Sequence, residues 1–277
     1  MTQSATTDPA ITPVGCAVLD PAQTTLFNYV DSEVSELAAR QEAVPVIGPG
    51  LLATGFLQQI DFFQNFPQLA LHPATYATDF RELLANGADP STIGSDILVP
   101  GTGLLPSATC YGVFGSLQGT DLHQRAAFTA VGRCFRNEDT YRGLARLMSF
   151  HMREIIAIGT REDVETFRTW AIEAVHSMAT HHGLELGFEP ANDPFYLKSS
   201  RALLTALDPV KFEFLADDGT AIASVNRHRN FFGERLGITI GGEPAHSVCL
   251  AFGLERWVHA LSQKHGSAGA ALPASST

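Results

Sequence analysis

Residues 134–159 read CFRNEDTYRGLARLMSFHMREIIAIG, and the fold is decided by how this stretch is paired. VGRCFRN (131–137) is a short β-run, EDTYRGLAR (138–146) a polar connection, and LMSFHMREIIAIG (147–159) a long alternating strand. Residues two apart on a strand share a face. Phe150, Met152, Glu154, Ile156 and Ile158 therefore lie on one side, and His151, Arg153 and Ile155 on the other. A glutamate among apolar neighbours needs a partner if it is buried, because an unpaired buried charge is strongly disfavoured.

After this hairpin, residues 161–182 predict a helix. Thr160 with Asp163 starts it as a capping box, Val164, Phe167, Ala171, Val175 and Met178 recur at helical spacing, and Gly183 ends it. Strands are predicted at 211–216, 221–226 and 247–251, then a helix from about Leu254. Upstream, 22–40 predict an amphipathic helix and 79–85 a second one before an Asn86-Gly87 turn, while LATGFLQQIDFFQNF (52–66) suits helix or strand. This non-alternating order predicts an α+β fold with a mainly antiparallel sheet flanked by helices. Neither G-x-G-x-x-G nor G-x-x-x-x-G-K-[ST] occurs, so a nucleotide would need another architecture to hold it.

With 277 residues, 45% of them hydrophobic, the chain has enough apolar material for one large core. No linker composition divides it, so a single domain is expected over 21–263, with loose tails at 1–20 and 264–277. The net charge of −11 argues against a broad nucleic-acid footprint but leaves room for a local basic pocket. A basic, then apolar leader is absent, and no apolar run nears the ~20 residues of a membrane span. A cytoplasmic protein is expected. Cys16, Cys110, Cys134 and Cys249 are widely spaced, which in a reducing compartment suits thiols or metal ligands better than disulfides.

CFRNED (134–139) followed by GLARLMSFHMREI (143–155) resembles motif 2 of the class II aminoacyl-tRNA synthetases, and GLERWVHAL (253–261) resembles their motif 3. The likeness is nearest to the seryl-tRNA synthetase catalytic core. It spans roughly residues 100–262 and includes ASVNRHRNFFGERLGI (223–238). Motif 1 has no clear counterpart. Two departures narrow the family. The sequence carries no counterpart of the long coiled-coil arm that grips tRNA, so no tRNA partner is expected. ATCYGVFG (108–115) puts Cys110 where bacterial seryl enzymes have a glutamate, and Cys110, Glu154 and Cys249 match the zinc ligands of the atypical archaeal enzymes. Together these resemble the bacterial amino acid:[carrier protein] ligases.

The resemblance implies roles for particular residues. Arg136 would meet the α-phosphate and the amino acid carboxylate, and Arg256 the γ-phosphate end, since the guanidinium fork pairs two oxygens at once. Glu138 would accept from the adenine amino group, and Phe150 would stack on the base. Phe150 and Glu154 stand about 13 Å apart on one face, four steps of ~3.3 Å, which suits a base at one end and an amino acid at the other. Arg146 would contact phosphate or amino acid, or serve structure; Asn226 would touch amino acid or metal. For Mg²⁺ the family's carboxylate is missing from GTAIASVN (219–226), and of the upstream acids Glu213, Asp217 and Asp218 the first is assigned to ATP, unless these acids form a solvated turn. Two thiolates and one carboxylate on zinc leave a fourth tetrahedral position for the substrate amino group. Cys134 is read as core.

The implied activity is ATP-dependent activation of glycine or alanine and transfer to the phosphopantetheine thiol of an acidic carrier protein. Zn²⁺ and Mg²⁺ are the expected cofactors, and a homodimer the expected assembly. Arg161, Arg168 and the RHR run at 227–229 would dock the carrier or form a solvated face. The rival readings are a tRNA-charging enzyme with a separate tRNA-binding partner, a non-catalytic paralogue that regulates a partner, and a purely structural zinc.

Overall fold

The computed structural model describes residues 12–89, 97–191 and 210–266; the ends of both expected tails, 1–11 and 267–277, lie outside them. The chain opens with α1, Pro21–Ala39, started by an Asp20–Gln23 capping box and a proline in its first turn. Leu26, Val30, Val34 and Leu37 bury one stripe of it. β1 (Val44–Val46) follows. The ambiguous 52–66 segment is mostly helical: α2 (Thr54–Gln59) and α3 (Phe62–Asn65) are separated by Asp61 at φ 56. Next come α4 (Thr78–Ala85) and α5 (Cys110–Ser116), then the hairpin of β2 (Ala126–Phe135) and β3 (Ser149–Gly159). The second half runs α6 (Arg161–His181), β4 (Gly187–Ala191), β5 (Lys211–Leu215) and β6 (Ala221–Arg229). It closes with α7 (Phe231–Leu236), β7 (His246–Gly253) and α8 (Leu254–His265). α8 runs two residues into the stretch expected to be tail, carried by its own helical hydrogen bonding.

One seven-stranded sheet carries the molecule, in the order β1-β2-β3-β7-β6-β5-β4. All its pairings are antiparallel except β1 with β2. The expected α+β architecture is what is found. On the helix-covered face α1, α6 and α8 bury Ile155, Ala157, Val225, Leu250 and Phe252 with Trp257 at the centre. α6 packs there because its capping box holds both donors of its first turn: Thr160 Oγ1 accepts from Asp163 N at 3.2 Å, and Asp163 Oδ2 from Thr160 N at 2.9 Å. On the opposite face, α2, α3, α5 and α7 cover Ile156, Ile158 and Cys249 but leave a gap toward Phe150.

The alternation of β3 holds along its length. Phe150, Met152 and Glu154 face the gap, and Arg153 points toward α1, where Asp31 accepts from its Nε at 2.5 Å and from Nη2 at 2.8 Å. Residues 12–20 run against the start of this strand: the Gly15 carbonyl accepts from Met148 N at 2.7 Å. A side chain at Gly15 would meet the Met148 Cβ at 2.8 Å, and its φ of +81° also favours glycine.

Candidate active site

The gap is a cavity of about 440 Å³ over the centre of the sheet, roofed by Ile60, Phe62, Phe66 and Leu69. Arg136 enters from the end of β2. Its Nε donates to the Ser107 carbonyl at 3.1 Å, and its guanidinium lies 5.3 Å from the centroid of Phe150. Arg256 enters from the first turn of α8, its Nη1 donating to the Ala221 carbonyl at 2.9 Å. Gly253 leaves room for its stem, since a Cβ there would stand 3.2 Å from Arg256 Cδ.

Burial, and then the Arg136 cation, push the Arg256 guanidinium below its ordinary value, while Glu138 and Glu213 pull it back. Two positive charges thus face one buried space, an arrangement that favours an anion between them. The neighbouring Glu255, buried, ties the first turn of α8 to β3. Its carboxylate accepts from His151 N at 2.8 and 3.0 Å and meets His151 Nδ1 at 2.8 Å. Glu255 was not singled out in the sequence, although it forms the Glu-Arg step of GLERW.

The other end of the cavity is acidic and thiol-bearing. One ligand atom from each of Cys110, Glu154 and Cys249 lies within 4.8 Å of the others, and all three residues are buried. They come from α5, β3 and β7, and the sheet brings them together: Glu154 pairs with Ala251, two residues from Cys249, and Cys110 starts the helix above. Glu154 Oε2 accepts from Thr109 Oγ1 at 2.6 Å and from Cys110 N at 2.7 Å. The hydrogen bond with Cys249, then burial, push the Cys110 thiol well up; burial raises Cys249 to about 11. Three acidic groups crowded away from water are costly without a cation to share. Zinc fits them. Bonds of about 2.3 Å to sulfur at tetrahedral angles need thiolates about 3.8 Å apart, within the span seen. The Thr109 and Cys110 donors would orient the carboxylate, as outer partners of a metal ligand do.

The remaining residues divide. Glu213 and Asn226 line the cavity, Glu213 paired with Lys211 Nζ at 3.0 Å. Asn226 Nδ2 donates to Ser224 Oγ at 3.4 Å, and its buried Oδ1 has no partner among the described residues. Glu138 and Arg146 are held to each other at 3.1 Å, and both act on the Arg256 charge from beside the cavity. Cys134 is buried with Met152 and Ala251, its thiol raised by burial. Lys211, Tyr111 and His228 also line the cavity and went unremarked for that role. Alternation marks Lys211, two residues from Glu213; nothing local marks Tyr111.

Set beside known proteins, the chain is 35% identical over 241 residues to amino acid--[acyl-carrier-protein] ligase 2 of Bradyrhizobium diazoefficiens, covering 81% of this chain and 71% of the relative. It is 32% identical over 239 residues to ligase 1 of the same bacterium, covering 82% and 73%. The chain belongs to the amino acid--[acyl-carrier-protein] ligases. It is accordingly a ligase. A type-2 serine--tRNA ligase of Methanococcus maripaludis shares 30% identity over 137 residues, 45% of this chain and 27% of that one. No family model matches. Among solved structures, M. kandleri seryl-tRNA synthetase, in complex with A. aeolicus tRNASec, superposes with TM-score 0.79 at 21% identity. The ligase is covered over 92% of its length and spans 55% of that chain. Seryl-tRNA synthetase of Pyrococcus horikoshii complexed with ATP gives TM-score 0.67 at 13% identity, over 92% of this chain and 54% of that one. These likenesses establish a class II synthetase fold.

Proposed function

We propose that this ligase uses ATP to activate a small amino acid as its adenylate and passes the aminoacyl group to the phosphopantetheine thiol of a carrier protein. The observation that carries the reading is one cavity bounded by Arg136 and Arg256 at one end and by Cys110, Glu154 and Cys249 at the other. The names of the Bradyrhizobium relatives support the acceptor.

In adenylation a carboxylate oxygen bonds to the α-phosphorus as the bond to the bridging oxygen of pyrophosphate breaks. Negative charge gathers on phosphate oxygens, and fixed guanidinium groups stabilise it without reorganising. Arg136 holds the α-phosphate and the attacking carboxylate; Arg256 holds the γ-phosphate end. Phe150 supports the adenine, whose amino group donates to Glu138, and Arg146 steadies that carboxylate. Cys110, Glu154 and Cys249 would hold a zinc ion, which would offer a Lewis-acid position to the substrate amino group. Asn226 offers its Oδ1 as a further acceptor at the amino acid end, where Tyr111 and Met152 also line the cavity; glycine or alanine is the substrate that the family resemblance implies. Glu213, paired with Lys211 here, would be the carboxylate for a Mg²⁺ ion brought with ATP. In the second step the thiol sulfur bonds to the carbonyl carbon as its bond to the phosphate oxygen breaks. AMP leaves with the electron pair, and the thiol proton passes to water.

The fold also supports a homodimer and a single domain over 21–263. β1 is an edge strand, with Val44 55% exposed on it and Ile47 94% exposed just after it, apolar groups that a second copy would cover. Among the described residues no helix is long and apolar enough to cross a membrane. A cytoplasmic location is part of the proposal.

Transfer of labelled glycine or alanine to a phosphopantetheinylated carrier, set against total tRNA, tests the acceptor. Label should appear on the carrier thiol and be released by hydroxylamine. Label on tRNA alone would make this a tRNA-charging enzyme.

A further inference from the structure

The connection between β2 and β3 carries Glu138 and Arg146, and between them Arg142 reaches a different part of the fold. Its backbone is fixed on both sides. Arg142 N donates to the Arg146 carbonyl at 2.9 Å, and the Arg142 carbonyl accepts from Ala145 N at 3.0 Å and from Arg146 N at 3.1 Å. Gly143, at φ +44, makes the turn that these bonds close. Leu144, buried, anchors it in the core that α8 shares.

The Arg142 side chain crosses to the turn between β5 and β6. Its Nη2 donates to Thr220 Oγ1 at 2.9 Å and meets Asp218 Oδ2 at 3.4 Å. The same carboxylate oxygen meets His259 Nε2, from α8, at 3.0 Å, while Asp218 Oδ1 accepts from Thr220 N at 2.9 Å. Two backbone bonds close this turn, Gly219 N to the Ala216 carbonyl at 2.8 Å and Ala216 N to the Thr220 carbonyl at 2.9 Å. Burial raises the Asp218 carboxyl, but the bonds from His259 and Thr220 outweigh it and hold the group below its ordinary range, so it stands as an anion.

Both sides of this receiving turn lead to Arg256. Thr220, buried, precedes Ala221, whose carbonyl accepts from Arg256 Nη1 at 2.9 Å. His259 follows Arg256 by three residues on α8, a spacing that puts the two on one side of the helix. At the other end of the contact, Arg146, which closes the Arg142 turn, holds Glu138 at 3.1 Å. One side chain therefore ties the connection that bears Glu138 to the backbone seat of Arg256. It does little for the fold itself: the Arg142 side chain is 64% exposed, and ion pairs open to water add little to stability.

We propose that Arg142 is a positioning residue for ATP: clasped by Thr220 and Asp218, it fixes the β2–β3 connection so that Glu138 and Arg256 meet one nucleotide at its two ends. The inference rests on the ATP reading above and adds to it a group that touches neither ATP nor amino acid. Asp218 serves this clasp and not a metal ion.

The test uses the zinc-loaded full chain with Arg142→Gln, Arg142→Lys, Asp218→Asn and the double variant Arg142→Gln/Asp218→Asn. Amino-acid-dependent pyrophosphate exchange at varied ATP and varied amino acid is read beside equilibrium ATP binding and the denaturation midpoint. Arg142→Gln should raise KM for ATP about five-fold, the size of a strong exposed ion pair. Its kcat, KM for amino acid and midpoint should stay as in the wild type, since what is lost is binding common to ground and transition state. Arg142→Lys, which keeps the charge, should recover part of the loss. The double variant should lose no more than the worse single one, because both substitutions break the same contact. An unchanged KM for ATP in Arg142→Gln, or losses that multiply in the double variant, overturns the assignment. So does a loss shared equally by ATP and amino acid with a lowered midpoint, the mark of a structural role alone. If the wild type binds ATP but shows no exchange, the adenylation reading falls by itself. The clasp is then judged by ATP affinity: about five-fold weaker binding in Arg142→Gln upholds it, and equal binding overturns it. A wild type that binds no ATP overturns both.

Discussion

The two faces of the sheet are built to different ends. Against α1, α6 and α8 the strands present aliphatic and aromatic side chains that leave almost no surface to solvent, and even the charged Arg153 donates two bonds to Asp31. Against the cavity the same strands present Arg136 and Arg256 to one another, and Glu154 to two thiols. The first face is complete in itself and stabilises the fold. The second gathers two guanidinium groups at one end and a carboxylate with two thiols at the other, an arrangement suited to a bound anion and a bound cation. A single strand, β3, serves both through its alternation.

Substitutions on the two faces should therefore fail differently. Trp257→Ala, at the centre of the helix-covered face and fully buried, should lower unfolding free energy by about 3–5 kcal/mol in denaturant titrations. Its exchange activity at low temperature should change far less. Arg256→Ala should do the reverse: exchange should fall about 10²–10³-fold, the loss seen when one preorganised charge stabiliser is removed, while the denaturation midpoint hardly moves. If both variants lose stability and activity in proportion, the division between faces is wrong.

At the metal end the effect should be smaller and graded. Thr109→Ala removes the hydroxyl that donates to Glu154 at 2.6 Å, and competition with a chromophoric chelator should report zinc held about 10–100-fold more weakly. Unchanged affinity would place the ion elsewhere or nowhere. The smallest effect belongs again to the helix-covered side. Burial, then the Glu33 charge, raise Tyr29 to about 12 from an ordinary value of 10.0. A raised acid holds its proton more tightly when folded, so its contribution is whole below pH 10 and fades as pH climbs toward 12. Stability measured across that window should drop less steeply in Tyr29→Phe than in the wild type.

The helix-covered face was legible in advance because periodicity records it. The apolar spacing of 22–40 and 161–182, the Thr160 and Asp163 cap, and the alternation after residue 147 each describe a local preference that packing then confirmed. The 52–66 segment resisted reading, since its aromatics suit either element. Asp61 in a left-handed conformation, gripped by Arg235 across 174 residues of chain, splits it into two short helices. The cavity face was legible only through motif likeness. Cys110, Glu154 and Cys249 lie 44 and 95 residues apart, and no spacing rule joins them; strand pairing does. Glu138 and Arg146 were each assigned a ligand, yet they bind one another, a contact that two separate assignments do not foresee. Glu255 and Lys211 were missed because a buried acid near a helix start and a strand lysine are each ordinary until a cavity surrounds them.

The most direct measurement is amino-acid-dependent exchange of label between pyrophosphate and ATP, run on zinc-loaded protein with each of the twenty amino acids in turn. Glycine or alanine should drive exchange well above the rest, and stripping the metal should abolish it while circular dichroism stays unchanged. Zinc-loaded, folded protein that exchanges label with none of the twenty would contradict the account.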